Sequence, residues 1–233
     1  TTGSGTYKTY TGSVNTTSGF SIIKYTGNGT AGHTIPHNLG VAPSMVICKS
    51  ISENRGWPIQ HSGLTSAAYS VYLSTTNAQS NSTNSWNSTA ASSSVVTLGN
   101  DANNNSNDQT YIMYSFAEVP GYSNFGSYTG NGNVDGPFSY TGFRPAFVII
   151  KRTDVAKNWY MNDNLRNGYN PSNPYLSPNL TATESGGAEI DILSNGFKLR
   201  ADGTGHNQSG GTYIYMAIGQ SLVGTNNIPN NAR

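Results

Sequence analysis

Charge is what this chain has least of. Lys, Arg, Asp and Glu together make up 10% of its 233 residues, where soluble domains carry about a quarter. The net charge is +1 and the longest basic run is Lys151-Arg152, so no electrostatic footprint for nucleic acid exists. Cys48 is the single cysteine, which excludes an intrachain disulfide. Its place at the end of the apolar run Met45–Cys48 reads as a buried structural thiol. No stretch approaches the roughly 20 apolar residues of a membrane helix. No window keeps a helical period, because Gly and Asn interrupt every candidate. The chain opens on Thr1, with neither an initiator Met nor a signal peptide. A processed product or a piece of a longer protein is therefore expected.

Catalytic signatures are missing too. There is no G-x-S-x-G elbow, no P-loop and no H-E-x-x-H. Glycoside hydrolysis needs two carboxylates about 5–10 Å apart, and neither Glu53, Glu118, Glu184 and Glu189 nor the Asp residues mark such a pair. A non-enzymatic protein is expected, with a polysaccharide depolymerase built from distant residues as the alternative. His33 and His37 are four apart, but Pro36 and nearby glycines argue against the helix that would bring them together. Together with His61 and His206 they give no metal spacing. At the repeat offset described next, His61 aligns with Asp163, which suggests a polar surface position. Oxygen-rich loops hold Asp101, Asp108 and Asp202, the weak candidates for calcium. No D-x-D-x-D-G loop accompanies them, and solvated hairpins are the leading reading. No other cofactor is expected.

What fills the chain instead is Asn, Ser, Thr, Gly and 15 Tyr, and the chain repeats itself. Tyr25-Thr26-Gly27-Asn28-Gly29 returns as Tyr128-Thr129-Gly130-Asn131-Gly132, 103 residues later. Pro43–Lys49 returns as Pro145–Lys151, Trp57 as Trp159, and Thr110-Tyr111-Ile112 as Thr212-Tyr213-Ile214, all at an offset of 102 residues. Such self-similarity marks a duplicated unit, here of about 100 residues. Ser44–Lys49 and Ala146–Lys151 are continuous apolar runs of strand length, which fit strands buried on both faces. Phe20–Tyr25, Thr34–Gly40, Ser94–Gly99 and Thr110–Ala117 read as further strands of the first unit. Ile190–Leu193, Phe197–Leu199 and Tyr213–Ile218 do so in the second, with Asn195-Gly196 as a hairpin turn. Residues 74–94 and 162–187 read as long loops. The expected fold is an all-β, antiparallel sandwich or jelly-roll-like body built from two pseudo-repeats. Residues 1–18 are a lead-in or edge strand, 19–121 the first unit, 122–223 the second, packed with it as one body, and 224–233 a polar tail.

With its repeats aligned, the chain resembles a module of tailed-phage structural proteins. The residues that carry the resemblance are Gly19–Ile23, Tyr25–Gly29 and Ile35-Pro36-His37-Asn38-Leu39-Gly40-Val41-Ala42-Pro43, followed by the apolar strand ending at Lys49. Phe125–Gly130 and Gly142–Val148 repeat the pattern. The resemblance covers residues 19 to about 220. It is to tail-fibre, tail-spike and virion-surface proteins of marine and cyanobacterial phages, and it brings no catalytic residues with it. It implies a place on a virion, outside the cell, and a binding or architectural role. The partner it implies is a host surface glycan, for a tail fibre or receptor-binding module. Other virion subunits are the partners if the protein decorates or assembles the particle, and a polysaccharide-degrading spike is the third reading. Fibres of this kind are typically homotrimers, so a homo-oligomer is expected, although the sequence does not count subunits. Neither nucleic acid nor membrane is an expected partner.

The binding candidates are aromatic. Trp86 has no counterpart in the other unit and sits in the polar stretch Asn84-Ser85-Trp86-Asn87, which suggests contact with a ligand or subunit unless the ring packs beneath its loop. Trp57 and Trp159 occupy matching positions. That favours a shared packing need, with sugar stacking as the other role. Tyr69, Tyr169 and Tyr175, on or beside the long loops, complete the set.

Overall fold

The computed structural model describes residues 1–220; the polar tail expected over 224–233 lies outside the described residues. The first half contains β1 (Thr2–Gly3), β2 (Tyr10–Asn15), β3 (Phe20–Thr26), β4 (His33–Pro36), β5 (Met45–Ser50) and β6 (Pro58–His61). It continues with β7 (Tyr69–Tyr72), β8 (Ser80–Asn81), the one-turn helix α1 (Thr83–Trp86), β9 (Val95–Leu98) and β10 (Thr110–Phe116). The second half contains β11 (Ser123–Thr129), β12 (Phe138–Tyr140), β13 (Pro145–Arg152), β14 (Trp159–Asp163), β15 (Ile190–Leu193), β16 (Gly196–Leu199) and β17 (Thr212–Gly219). Each half is an antiparallel sandwich of one large and one small sheet. The large sheets run β2-β3-β10-β5-β6-β7-β8 and β11-β17-β13-β14; the small ones run β1-β4-β9 and β12-β16-β15.

The apolar runs show why the sheets stack as they do. In β5, Val46 and Cys48 enter the core of the first half beside Ile23, Tyr111 and Leu98. The alternate residues Met45 and Ile47 face the other way, into a third cluster with Phe125, Ile149, Trp159 and Ile214. In β13, Val148 and Ile150 enter the core of the second half with Phe197 and Tyr213. Successive strand residues point to opposite faces, so the apolar runs Met45–Cys48 of β5 and Phe147–Ile150 of β13 each meet a core on either side. The result is a stack of four layers, small sheet, large sheet, large sheet, small sheet, with three cores between them. Polar ties cross the middle: His61 Nε2 to Tyr215 O at 3.0 Å, Trp159 Nε1–H to Tyr72 O at 2.9 Å, and the Lys151 ammonium to Thr76 O at 3.0 Å.

The Tyr-Thr-Gly-Asn-Gly stretch serves backbone geometry in both places. The Tyr25 hydroxyl donates to Asn104 O and the Tyr128 hydroxyl to His206 O, both at 2.6 Å. The Asn28 and Asn131 N–H groups donate to the Oδ1 atoms of Asn105 and Asn207, both at 3.0 Å. Gly29 and Gly132 hold φ of 70° and 66°, a region that disfavours side chains. Cys48 is fully buried, and burial pushes its thiol up to about 12.

Three local expectations change. Within the stretch read as the 74–94 loop, the chain forms β8 and α1, a single turn closed by Asn87 in the left-handed region. Asn195-Gly196 is not the centre of its hairpin: Leu193 pairs with Gly196, so Ser194-Asn195 turns the chain and Gly196 already belongs to β16. His61 is no surface position but lies 4% exposed between the halves. Its Nδ1 accepts from Gly63 N–H at 2.9 Å, so the proton sits on Nε2 and points at Tyr215 O.

Candidate functional site

The outer face of the sheet β12-β16-β15 carries the most unusual surface chemistry. Along β12 the pattern is exposed, buried, exposed: Ser139 points inward, while Phe138 and Tyr140 stand 44% and 66% exposed. Large aromatic rings normally bury their area, and two side by side on one strand face mark a contact surface. Register builds the rest of the face. Phe138 lies opposite Lys198, which lies opposite Asp191; Tyr140 lies opposite Gly196, which lies opposite Leu193. Gly196 lets β12 and the Phe138 ring come close, since a Cβ there would collide with Ser139 O and sit 2.8 Å from the Phe138 ring.

Charged groups frame the rings. Lys198 Nζ pairs with Asp135 Oδ1 at 2.8 Å, and Arg200 Nε with Asp191 Oδ2 at 3.3 Å, with Arg200 Nη1 3.8 Å from Asp135. The hydrogen bond from Lys198 holds the Asp135 carboxyl below its usual range. Two cations and two anions leave the face without net charge but rich in donors and acceptors. The corresponding sheet of the first half presents different chemistry. There Gly32 N–H meets Leu98 O as Gly136 N–H meets Leu199 O, yet the outward row is Thr2, Thr34 and Thr97.

The aromatic candidates from the sequence are not gathered into one site. Trp86 is 0% exposed, which corrects its expected role as a contact residue. The helix turn plants its ring in the core of the first half, and its indole N–H donates to Ser70 Oγ at 2.7 Å, so neither the ring nor the N–H remains for a ligand. Trp159 is likewise buried, in the middle core, which removes its sugar-stacking role. Trp57 is half-buried, with Lys49 Nζ 4.7 Å over its ring. Tyr69 packs against the middle core and Tyr175 against Tyr160. Tyr169 stands 71% exposed. Among the described residues no group of three or more His, Cys, Asp or Glu is placed to hold a metal ion. Of the calcium candidates, Asp101 accepts from Ser85 Oγ at 2.5 Å and from Asn103 N–H at 2.9 Å, and Asp108 pairs with Lys8 at 2.6 Å. Phe138 and Tyr140 were not among the candidates from sequence. Their signal is the aromatic-Ser-aromatic spacing, which puts both rings on one face of a strand.

Sandwich architecture and an aromatic face without net charge together describe an all-β protein with an exposed aromatic surface. By sequence the chain belongs to the family described as Domain of unknown function (DUF7483), which it matches over residues 1–221. No curated protein and no solved structure matches it.

Proposed function

We propose that the protein is a non-enzymatic attachment module that holds a neutral glycan on the outer face of β12-β16-β15. The observation that carries this reading is the exposed pair Phe138 and Tyr140 beside Lys198, Asp191 and Arg200. Aromatic faces attract the polarised C–H side of a sugar ring and desolvate it. Carboxylate and guanidinium groups at the rim accept from and donate to its hydroxyls. Because the ion pairs cancel, an anionic ligand gains nothing over a neutral one. The likeness to tail-fibre modules supplies the setting, a virion surface meeting host glycans. Glycan-array and host-cell binding test the reading. At about 1 kcal/mol for each ring, the double variant Phe138→Ala/Tyr140→Ala is expected to bind about thirtyfold more weakly. Both rings are largely in solvent, so the melting temperature should stay nearly constant. The wild-type protein should release no reducing ends from host polysaccharide. Unchanged binding by the double variant would sink the assignment.

One observation favours a second reading, assembly with other copies or virion subunits. All six residues of β2 are exposed and its outer edge is free among the described residues. Thr26 N–H donates to Thr9 O, so by alternation Tyr10, Gly12 and Val14 turn their peptide groups outward. The strand has no charge, proline or bulge, the usual protections of an edge. Val14→Pro removes an outward N–H without touching the ladder to β3. Loss of oligomers in this variant by light scattering, with an unchanged melt, is the expected result if subunits join through this edge. An oligomer that survives the substitution rules the edge out.

A further inference from the structure

We propose that the cleft between the two halves is a second ligand site, formed for one neutral polyhydroxylated ring such as a single sugar residue. Its volume is about 330 Å³, within the range of small-molecule sites. Neither Phe138 nor Tyr140 lines it, so it is separate from the aromatic face. Its floor is a row of threonines across three strands of the second half. Thr129 lies opposite Thr212. Thr153 follows β13 on the other side, its N–H donating to Thr212 O at 2.8 Å and its hydroxyl 2.8 Å from that of Thr212. Ser127 extends the row along β11.

The first half closes over this floor. Gly63 approaches so closely that a Cβ there would lie 3.2 Å from the Ser127 side chain. Gln79 is fixed at both ends: its main-chain N–H donates to Thr153 O at 2.8 Å, and its Oε1 accepts from Thr65 N–H at 3.0 Å. That leaves the Gln79 Nε2 amide without a partner among the described residues, as are the hydroxyls of Thr65, Ser127 and Thr129. Two of these groups come from each half, and the carboxamide is held in one orientation before any ligand arrives, which lowers the entropy cost of binding. No Asp, Glu, Lys, Arg or His lines the cleft. A charged ligand would lose its hydration there without gaining a counter-charge, whereas sugar hydroxyls can pair with each free donor and acceptor. A ligand bound here bridges the halves, so it also stabilises the folded chain by mass action.

The test uses glucose, galactose, mannose and N-acetylglucosamine as probes, with glucose 6-phosphate as the charged comparison. Binding is read from the Gln79 side-chain amide resonance and from the melting temperature. At least one neutral sugar is expected to move that resonance saturably and to raise the melting temperature, and the phosphate to bind more weakly. The double variant Gln79→Ala/Thr129→Val loses two hydrogen bonds and should weaken binding about tenfold; Tyr140→Ala should leave it unchanged. No saturable change with any of the four sugars, or a melting-temperature rise that persists undiminished in the double variant, overturns the proposal. Because Tyr140→Ala reports on the aromatic face alone, failure of one site is distinguishable from failure of the other.

Discussion

Trp86→Ala should lower the free energy of unfolding by about 3–5 kcal/mol, the cost of emptying a large aromatic site in a packed core. The ring is wholly enclosed by strands of the first half, and it anchors the Asn- and Ser-rich segment between β8 and β9. Its removal also strands the buried Ser70 hydroxyl, which now accepts from the indole N–H. At a denaturant slope of about 2 kcal/mol per molar urea, the midpoint should fall by about 2 M. Trp86→Phe separates the two contributions. It keeps most of the volume and loses the hydrogen bond, for about 1–3 kcal/mol. Binding to glycan should survive in whatever fraction remains folded. A variant with wild-type stability and no glycan binding would return Trp86 to the surface role that its loop suggests.

The second large effect is acid sensitivity well above the carboxylate range. All four histidines are buried. Burial lowers each of them, and His61 and His206 fall to about 4. The unfolded chain titrates its histidines near pH 6.5, so between about pH 6.5 and 4 it binds protons that the folded chain refuses. Stability is therefore complete above that window and is lost as pH falls through it. A tenfold loss of proton affinity is worth about 1.4 kcal/mol, so His61 and His206 each withdraw about 3 kcal/mol by pH 4. The geometry gives the cause. Protonating His61 would set an N–H against the Gly63 N–H it now accepts, and both ring nitrogens of His206 lack a partner. Asp154, held at about 2 by its hydrogen bond from Arg152, adds its own loss only below the usual carboxylate pKa. Urea titrations at a series of pH values measure the slope directly. His206→Phe should flatten it by about a third to a half; a stability that stays level down to pH 4 contradicts the account.

The sequence made the strands legible and left their neighbours hidden. Ser44–Lys49 and Ala146–Lys151 announced themselves because a strand apolar at nearly every position must be covered on both faces. What covers them is the other half, and nothing local in the chain says so. The aromatic face was hidden for a related reason. Phe138-Ser139-Tyr140 reads as an ordinary short strand until register sets it beside Lys198 and Asp191, and a slip of one residue would have turned both rings inward. His61 resembled a surface position because its partner, the Tyr215 carbonyl, lies 154 residues away in the other half. Trp86 was misleading in the opposite sense. Its polar neighbours describe the outside of a loop whose inside is the indole.

The four-layer stack also gives the molecule a direction. One end shows a row of threonines, Thr2, Thr34 and Thr97, and the other shows Phe138 and Tyr140. Copies mounted on a common support by the threonine end would all offer their rings to the same side, like bristles of one brush. Copies that met ring to ring would hide the face proposed above to hold a glycan. If that face serves attachment as proposed, self-association through the same end would compete with it.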